Sequence, residues 1–168
     1  MIITLVGMPG CGKSCMGKAI SGKLKMKNID SDALIERNAG KKLWELINEL
    51  GLDGFKALEE KTLLEFNEDN VILSTGGSAV YYDNAMQHLK SLGKVIYLKV
   101  ELPVLKERLG DFSKRGIVLK PGQTIEDLYK ERSALYTKYA DVIINCSGNA
   151  YPKYQAEVIN SVKMFKGE

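Results

Sequence analysis

Short apolar runs recur along the chain at intervals that suit a β-sheet. Each run is four or five residues long and rich in β-branched side chains, and residues 71–74 and 95–98 are the clearest examples. Runs of this length and composition are typical of buried strands. The pattern therefore predicts five strands, at residues 2–6, 27–30, 71–74, 95–98 and 141–145.

Stretches with helical periodicity alternate with these strands. Such alternation favours a parallel sheet with helices on both faces, which is a three-layer α/β/α architecture. In residues 42–49 the apolar positions fall on one helical face that includes Trp44 and Ile47, and we expect that face first of all to pack in the core. Part of it could also close one side of a ligand pocket. The predicted helices are residues 15–24, 31–38, 42–49, 55–67, 83–91, 103–109, 124–139 and 151–165.

Composition and charge narrow the class of protein. With 168 residues, 45% of them hydrophobic and 27% charged, the chain suits one soluble globular domain spanning 1–168. Its net charge of +3 is modest and spread along the chain, so we expect no nucleic-acid partner. No stretch has the apolar length of a membrane span, and the first strand begins at once, so we expect neither a membrane partner nor a leader. Three cysteines without metal-ligand spacing fit a reducing cytoplasm, and we expect a monomer there.

Residues 7–14, Gly-Met-Pro-Gly-Cys-Gly-Lys-Ser, fill every fixed position of the phosphate-binding loop G-x-x-x-x-G-K-[ST]. The loop lies between a predicted strand and a predicted helix, which is the context that its chemistry requires. Backbone N–H groups of such a loop point at a polyphosphate near the positive end of the helix. Lys13 can reach the β- and γ-phosphates, and the Ser14 hydroxyl can ligate Mg²⁺. We therefore expect a nucleoside triphosphate and Mg²⁺ to bind here, with nucleotide contacts from Gly10, Cys11, Gly12, Lys13, Ser14 and Cys15.

Polar and glycine residues follow two other predicted strands. Ligands of parallel α/β sheets bind beyond the carboxyl ends of the strands. Asp30 and Asp32 follow the second strand, where one carboxylate could hold Mg²⁺ through water and the other could accept a proton; either could also cap a helix. Gly76 and Gly77 follow the third strand, where backbone can approach a ligand closely.

Residues 110–123 connect two predicted helices without clear periodicity. The segment is rich in glycine and basic side chains and includes Arg115. Its length and charge are more typical of a mobile lid that covers phosphates than of a plain connection between helices.

These motifs, in this order, resemble the shikimate kinase family. The resemblance rests on the phosphate loop, Asp30-x-Asp32, a Gly51-x-x-x-Phe55-Lys56-x-x-Glu59 stretch, Thr75-Gly76-Gly77 and Glu131-Arg132-x-x-x-Leu135-Tyr136, and it covers residues 2–145. It implies the P-loop fold of nucleoside monophosphate kinases and transfer of the ATP γ-phosphate to the 3-hydroxyl of shikimate.

The resemblance also implies roles for individual residues. Asp32 would contact the reacting hydroxyl and act as the base, while Asp30 would organise Mg²⁺ beside Ser14. Gly76 and Gly77 would line the acceptor and γ-phosphate site. Arg132 would pair with the acceptor carboxylate, and Lys56 would stand where the family has a second arginine. Arg115 would be the lid arginine that neutralises the transferring charge. The acceptor-binding region would lie at about residues 31–60.

Departures from the family pattern cluster on the acceptor side. Lys56 replaces an arginine, and a lysine offers a point charge where an arginine clamps a carboxylate with two hydrogen bonds. Ser78 replaces the third glycine of the family's Gly-Gly-Gly, and Gly116 replaces a proline after Arg115. The departures are compatible with tolerated variation in a shikimate kinase, or with a kinase for another hydroxy acid or polyol. A nucleotide-binding homologue without catalysis and a nucleoside monophosphate kinase remain as further alternatives.

Overall fold

The computed structural model describes residues 1–111, 117 and 119–168. Within those residues the chain forms five strands, which make one parallel sheet in the order β2-β3-β1-β4-β5. The predicted strands are confirmed. They are β1 (Ile2–Val6), β2 (Lys27–Asp30), β3 (Val71–Ser74), β4 (Gly93–Lys99) and β5 (Val142–Asn145).

Seven α-helices are found among the described residues, and they give the predicted three-layer α/β/α arrangement. A 3₁₀ helix, Ala79–Tyr81, was not predicted. The helices are α1 (Lys13–Leu24), α2 (Ser31–Ala39), α3 (Leu43–Leu64), α4 (Asp83–Leu92), α5 (Leu102–Leu109), α6 (Ile125–Tyr139) and α7 (Tyr151–Lys166). No described helix has the combination of length and apolarity that crossing a membrane requires.

The helices predicted at 42–49 and 55–67 are present as the two segments of α3, which meet at a kink. Gly51 sits at the kink with φ +71°, a backbone conformation that a residue without a Cβ adopts at little cost. The helix ends at Leu64, three residues before the predicted end. The kink joins two helical segments where the sequence pattern shows a gap.

The core lies on both sides of the central strand β1. All five residues of β1 are buried, as are all four of β3, because each of these strands has a neighbour on either edge and helices on both faces. Edge strand β2 is partly exposed. Strands β1, β2 and β3 all end at the same edge of the sheet, and the residues that follow them are brought together there.

Candidate active site

The phosphate loop follows β1 and turns directly into α1. Gly12 takes the left-handed conformation, with φ +96°, and its carbonyl accepts the first hydrogen bond of the helix, from the Met16 N–H at 2.8 Å. The Lys13 side chain is buried, and its ammonium donates to the carbonyls of Gly7 at 2.6 Å and Met8 at 3.0 Å. The loop backbone thus holds the ammonium close to the positive end of α1, where it can exchange carbonyl oxygens for phosphate oxygens.

The two cysteines of this region are placed differently. Cys15 is exposed and lines the cleft beside the loop. Cys11 is buried, with its sulfur 3.7 Å from the Lys13 ammonium, and it does not line the cleft. Any contact between Cys11 and a nucleotide would therefore come from its backbone.

Asp30 links the end of β2 to the phosphate loop. Its Oδ2 accepts a hydrogen bond from the Ser14 hydroxyl at 2.5 Å. Its Oδ1 caps α2 and accepts from the backbone N–H groups of Asp32 at 3.0 Å and Ala33 at 3.3 Å. Since Mg²⁺ prefers oxygen ligands and is usually held by one or two carboxylates together with substrate phosphates, the Ser14 and Asp30 oxygens fit that ion.

Asp32 lies one residue into α2 and faces the cleft rather than capping the helix. Among the described residues its carboxylate has no hydrogen-bond donor. Burial, and after it the charges of Asp30 and Glu59, raise the pKa of this carboxyl from 3.8 to about 6, while Lys13 opposes them. A carboxylate of this kind is a stronger base than an exposed one and is still ionised at neutral pH.

The glycines after β3 bring backbone close to the same cleft. A Cβ added at Gly76 would lie 3.3 Å from both Asp32 Oδ1 and Glu59 Oε2. A Cβ added at Gly77 would lie 2.8 Å from the Pro9 ring and 3.0 Å from an Arg132 nitrogen. A side chain at Gly77 would therefore displace its neighbours, so the absence of a side chain there is what permits the close approach.

These residues surround one cleft of about 600 Å³. Phosphate-loop residues line it together with the residues after β2 and β3, so the predicted nucleotide residues share a single space with most of the predicted acceptor residues. Its described lining residues are Pro9, Gly10, Gly12, Lys13, Ser14, Cys15, Asp30, Asp32, Leu43, Trp44, Ile47, Phe55, Glu59, Thr75, Gly76, Gly77, Ser78, Ile117 and Arg132.

A second cavity, of about 330 Å³, adjoins the first. Lys56 lines this cavity and not the first, whereas Arg132 lines both. The Arg132 guanidinium stacks over the Tyr81 ring at 5.4 Å, and its Nε donates to the Tyr81 hydroxyl at 3.4 Å. Three cations, Lys56, Lys120 and Arg132, therefore line the second cavity, and Glu59 and Ser78 line both spaces.

The expectation that the Trp44 face packs in the core was wrong for most of that face. Trp44 is 64% exposed, Ile47 38% and Leu50 47%, and only Leu46 among them is buried. Trp44 and Ile47 instead line the cleft, as the alternative considered for this face requires. Helical periodicity identifies an apolar face but does not say whether protein or ligand covers it.

Two contacts of the site were not predicted from the sequence. The Ser78 hydroxyl donates to Glu59 Oε1 at 2.7 Å, and the Tyr136 hydroxyl donates to the Gly77 carbonyl at 2.6 Å. No local signal in the sequence distinguishes Tyr136 from a tyrosine that only packs. The predicted lid arginine, Arg115, lies outside the described residues, as does Gly116.

A phosphate loop with a buried lysine, a hydroxyl–carboxylate pair suited to Mg²⁺ and a carboxylate facing the same cleft define an ATP-dependent phosphotransferase of the P-loop class. Comparisons with known proteins make the class more specific. A model of the shikimate kinase family matches residues 9–163. The shikimate kinase of Sulfurihydrogenibium sp. is 33% identical over 162 residues, which cover 96% of this chain and 97% of the relative. That of Clostridium botulinum (strain Langeland) is 34% identical, over 98% of each chain.

Solved structures agree with the sequence relatives. Shikimate kinase from Acinetobacter baumannii, solved in complex with shikimate, superposes with a TM-score of 0.85 and 28% identity, over 97% of this chain and 93% of that one. The enzyme from Aquifex aeolicus superposes with a TM-score of 0.83 and 27% identity, over 97% and 96%. The chain belongs to the shikimate kinase family, as its motifs predicted. It is thus a phosphotransferase with an alcohol acceptor that uses ATP and Mg²⁺.

Proposed function

We propose that this chain transfers the γ-phosphoryl group of ATP to the 3-hydroxyl of shikimate, a step of aromatic amino acid biosynthesis. The observation that carries the proposal is the shared cleft, in which Lys13 and Asp32 both line one space of about 600 Å³. Phosphoryl transfer needs positioned reactants and neutralised charge more than covalent chemistry, and a single cleft supplies both.

On the nucleotide side, Lys13 would give up its hydrogen bonds to the loop carbonyls and bind phosphate oxygens. Gly10, Gly12 and Cys15 would contact the nucleotide from the rim of the cleft, and Cys11 from its backbone. Ser14 and Asp30 would hold Mg²⁺ through oxygen atoms, and the bound ion would neutralise part of the phosphate charge. The Ser14–Asp30 hydrogen bond, at 2.5 Å, keeps these two oxygens together before the nucleotide arrives.

On the acceptor side, Asp32 would accept the proton of the 3-hydroxyl as that oxygen bonds to the γ-phosphorus and the bond to ADP breaks. The backbone of Gly76 and Gly77 would line the acceptor. Its carboxylate would point to the second cavity, where Lys56 and Arg132 lie. An acceptor with a hydroxyl at one end and a carboxylate at the other matches a base in the first space and cations in the second.

Arg115 would neutralise charge on the transferring group from the lid segment, residues 110–123. The site residues named here come from one chain, so we propose that a monomer is sufficient for activity, which sedimentation of the active enzyme would measure. Free thiols at Cys11, Cys15 and Cys146 support a reducing cytoplasmic location.

The experiment is shikimate-dependent release of ADP from Mg-ATP, with the Lys13→Ala variant as the blank. Lys18→Ala is the matched control, because Lys18 is an exposed lysine on the same helix. We expect turnover in the wild type and in Lys18→Ala, and none above background in Lys13→Ala. Nucleotide binding by the wild type without shikimate-dependent turnover would contradict the proposal and direct the search to other hydroxy acids and polyols.

A further inference from the structure

Glu59 is a buried carboxylate in the wall between the two cavities. It is 3% exposed, and the Ser78 hydroxyl donates to its Oε1 at 2.7 Å. Burying an ionised group is costly unless hydrogen bonds or opposite charges compensate it. Ser78 is therefore an energetically important neighbour of Glu59, although the two residues are 19 positions apart in the sequence.

Arg132 lines both cavities together with Glu59, but its guanidinium stacks over the Tyr81 ring at 5.4 Å. Burial raises the pKa of the Tyr82 phenol, and the Glu59 carboxylate raises it further by its charge and by hydrogen bonding. On the other side, Glu59 Oε2 and Asp32 Oδ1 would each lie 3.3 Å from a Cβ at Gly76, so the two carboxylates flank the same glycine. A cation that could move would be attracted to this place.

Lys56 is the cation best placed to do so. It lies three residues before Glu59 on the same segment of α3, and residues with this spacing are neighbours on a helix surface. Nevertheless, no ion pair or hydrogen bond joins Lys56 to Glu59 within the described part of the chain, and the Lys56 side chain is exposed at the second cavity. The long lysine stem can carry its ammonium in either direction.

We propose that Ser78 is a positioning residue whose hydroxyl holds the Glu59 carboxylate and thereby leaves the Lys56 ammonium available to the carboxylate of the acceptor. The role of Lys56 in this proposal rests on the proposed function. Without the Ser78 hydroxyl, Glu59 would be a buried anion with one donor fewer, left with the Tyr82 phenol, and Lys56 would turn towards it. Ser78 and Lys56, two departures from the family pattern, would thus act as a pair.

The kinetic test compares Ser78→Ala with the conservative variant Ser78→Thr, which retains a hydroxyl. We expect Ser78→Ala to raise the KM for shikimate about fivefold or more, with kcat and the KM for ATP within about twofold of the wild type. Ser78→Thr should keep the KM for shikimate within about twofold. An unchanged KM for shikimate in Ser78→Ala, or an equal loss in both variants, would overturn the proposal.

A rescue variant identifies Glu59 as the link between Ser78 and Lys56. Glu59→Gln removes the negative charge that would attract Lys56. In the double variant Ser78→Ala/Glu59→Gln, the KM for shikimate should therefore return to within about twofold of that of Glu59→Gln alone. A fivefold difference between these two variants would mean that Ser78 acts in another way, and the proposal would fail.

A stability measurement keeps this inference separate from the proposed function, because it needs no acceptor. In the wild type, Lys56→Ala should change Tm by less than about 1 °C, since Lys56 has no partner there among the described residues. In the Ser78→Ala background, where Lys56 would pair with Glu59, the same change should lower Tm by about 2–4 °C. Equal effects in the two backgrounds would overturn the inference even if shikimate turnover were established. Unequal effects without shikimate turnover would support the coupling of Ser78, Glu59 and Lys56 and would refute only the proposal that shikimate is the acceptor.

Discussion

Replacing the proposed base should make the protein more stable at neutral pH. In Asp32→Asn the charge that the cleft disfavours is absent. Folding raises the pKa of the Asp32 carboxyl from 3.8 to about 6, mainly through burial. The folded state therefore prefers the protonated form, and its stability falls as the pH rises through the window from 3.8 to about 6.

The size of the effect follows from the same two values. Each pKa unit corresponds to about 1.4 kcal/mol, so the difference between 3.8 and about 6 corresponds to about 3 kcal/mol for a fully ionised Asp32. At pH 8 the ionised carboxylate lowers the free energy of unfolding by that amount, and at pH 4.5 by only about 1 kcal/mol. Asp32→Asn should thus gain up to about 3 kcal/mol at pH 8 and much less at pH 4.5.

The assay is urea denaturation without Mg²⁺ or nucleotide at pH 8 and at pH 4.5. Asp53→Asn is the matched control, because Asp53 is an exposed aspartate and its replacement should change stability little at either pH. The same Asp32→Asn protein should lack phosphoryl transfer while still binding ATP. A gain in stability that is equal at the two pH values, or a loss at pH 8, would refute the reasoning from burial.

Three further predictions concern buried hydrogen bonds and the close approach of the backbone at Gly76. Thr4→Val should raise the free energy of unfolding by about 1 kcal/mol, because the buried Thr4 hydroxyl has no partner among the described residues. Thr75→Val should instead lower it by about 1 kcal/mol, because it removes a 2.9 Å hydrogen bond to the Leu5 carbonyl. Urea denaturation measures both changes, and equal effects of the two variants would contradict the argument. Tyr136→Phe should lower the free energy of unfolding by about 1–3 kcal/mol in the same assay, since it removes the hydroxyl that donates to the Gly77 carbonyl. Gly76→Ala should raise the KM for shikimate about tenfold and leave the KM for ATP nearly unchanged, because its Cβ would press on two carboxylates 3.3 Å away; a larger effect on ATP would count against this geometry.

Much of the fold could be predicted from the sequence, because the signals are local. Buried parallel strands are short apolar runs, and the five runs became the five strands. The two segments of α3 were also predicted, because Gly51, whose backbone is non-helical, is typical of a helix end. The exposure of Trp44 was missed, since an apolar helical face that lines a cleft has the same periodicity as one in the core.

The candidate site divides in the same way. The phosphate loop occupies eight consecutive residues, so its chemistry could be predicted from the sequence. Asp30 and Asp32 could also be predicted, because β2 ends beside them. The sequence left open which aspartate serves the metal. We propose Asp30 for that role, because its second oxygen accepts from Ser14 while its first caps α2.

The acceptor side depends on contacts between distant parts of the chain, which no local pattern encodes. Ser78 reaches Glu59 across 19 positions, and Tyr136 reaches Gly77 across 59. A comparison with the family motif would consider the substitutions at 56 and 78 separately. Because the residues at these positions interact through Glu59, their effects have to be considered together. A lysine at 56 brings less geometric specificity than an arginine, but a hydroxyl at 78 satisfies the buried Glu59 that would otherwise compete for that lysine. The two departures therefore support retention of an acceptor carboxylate site more strongly together than either does alone.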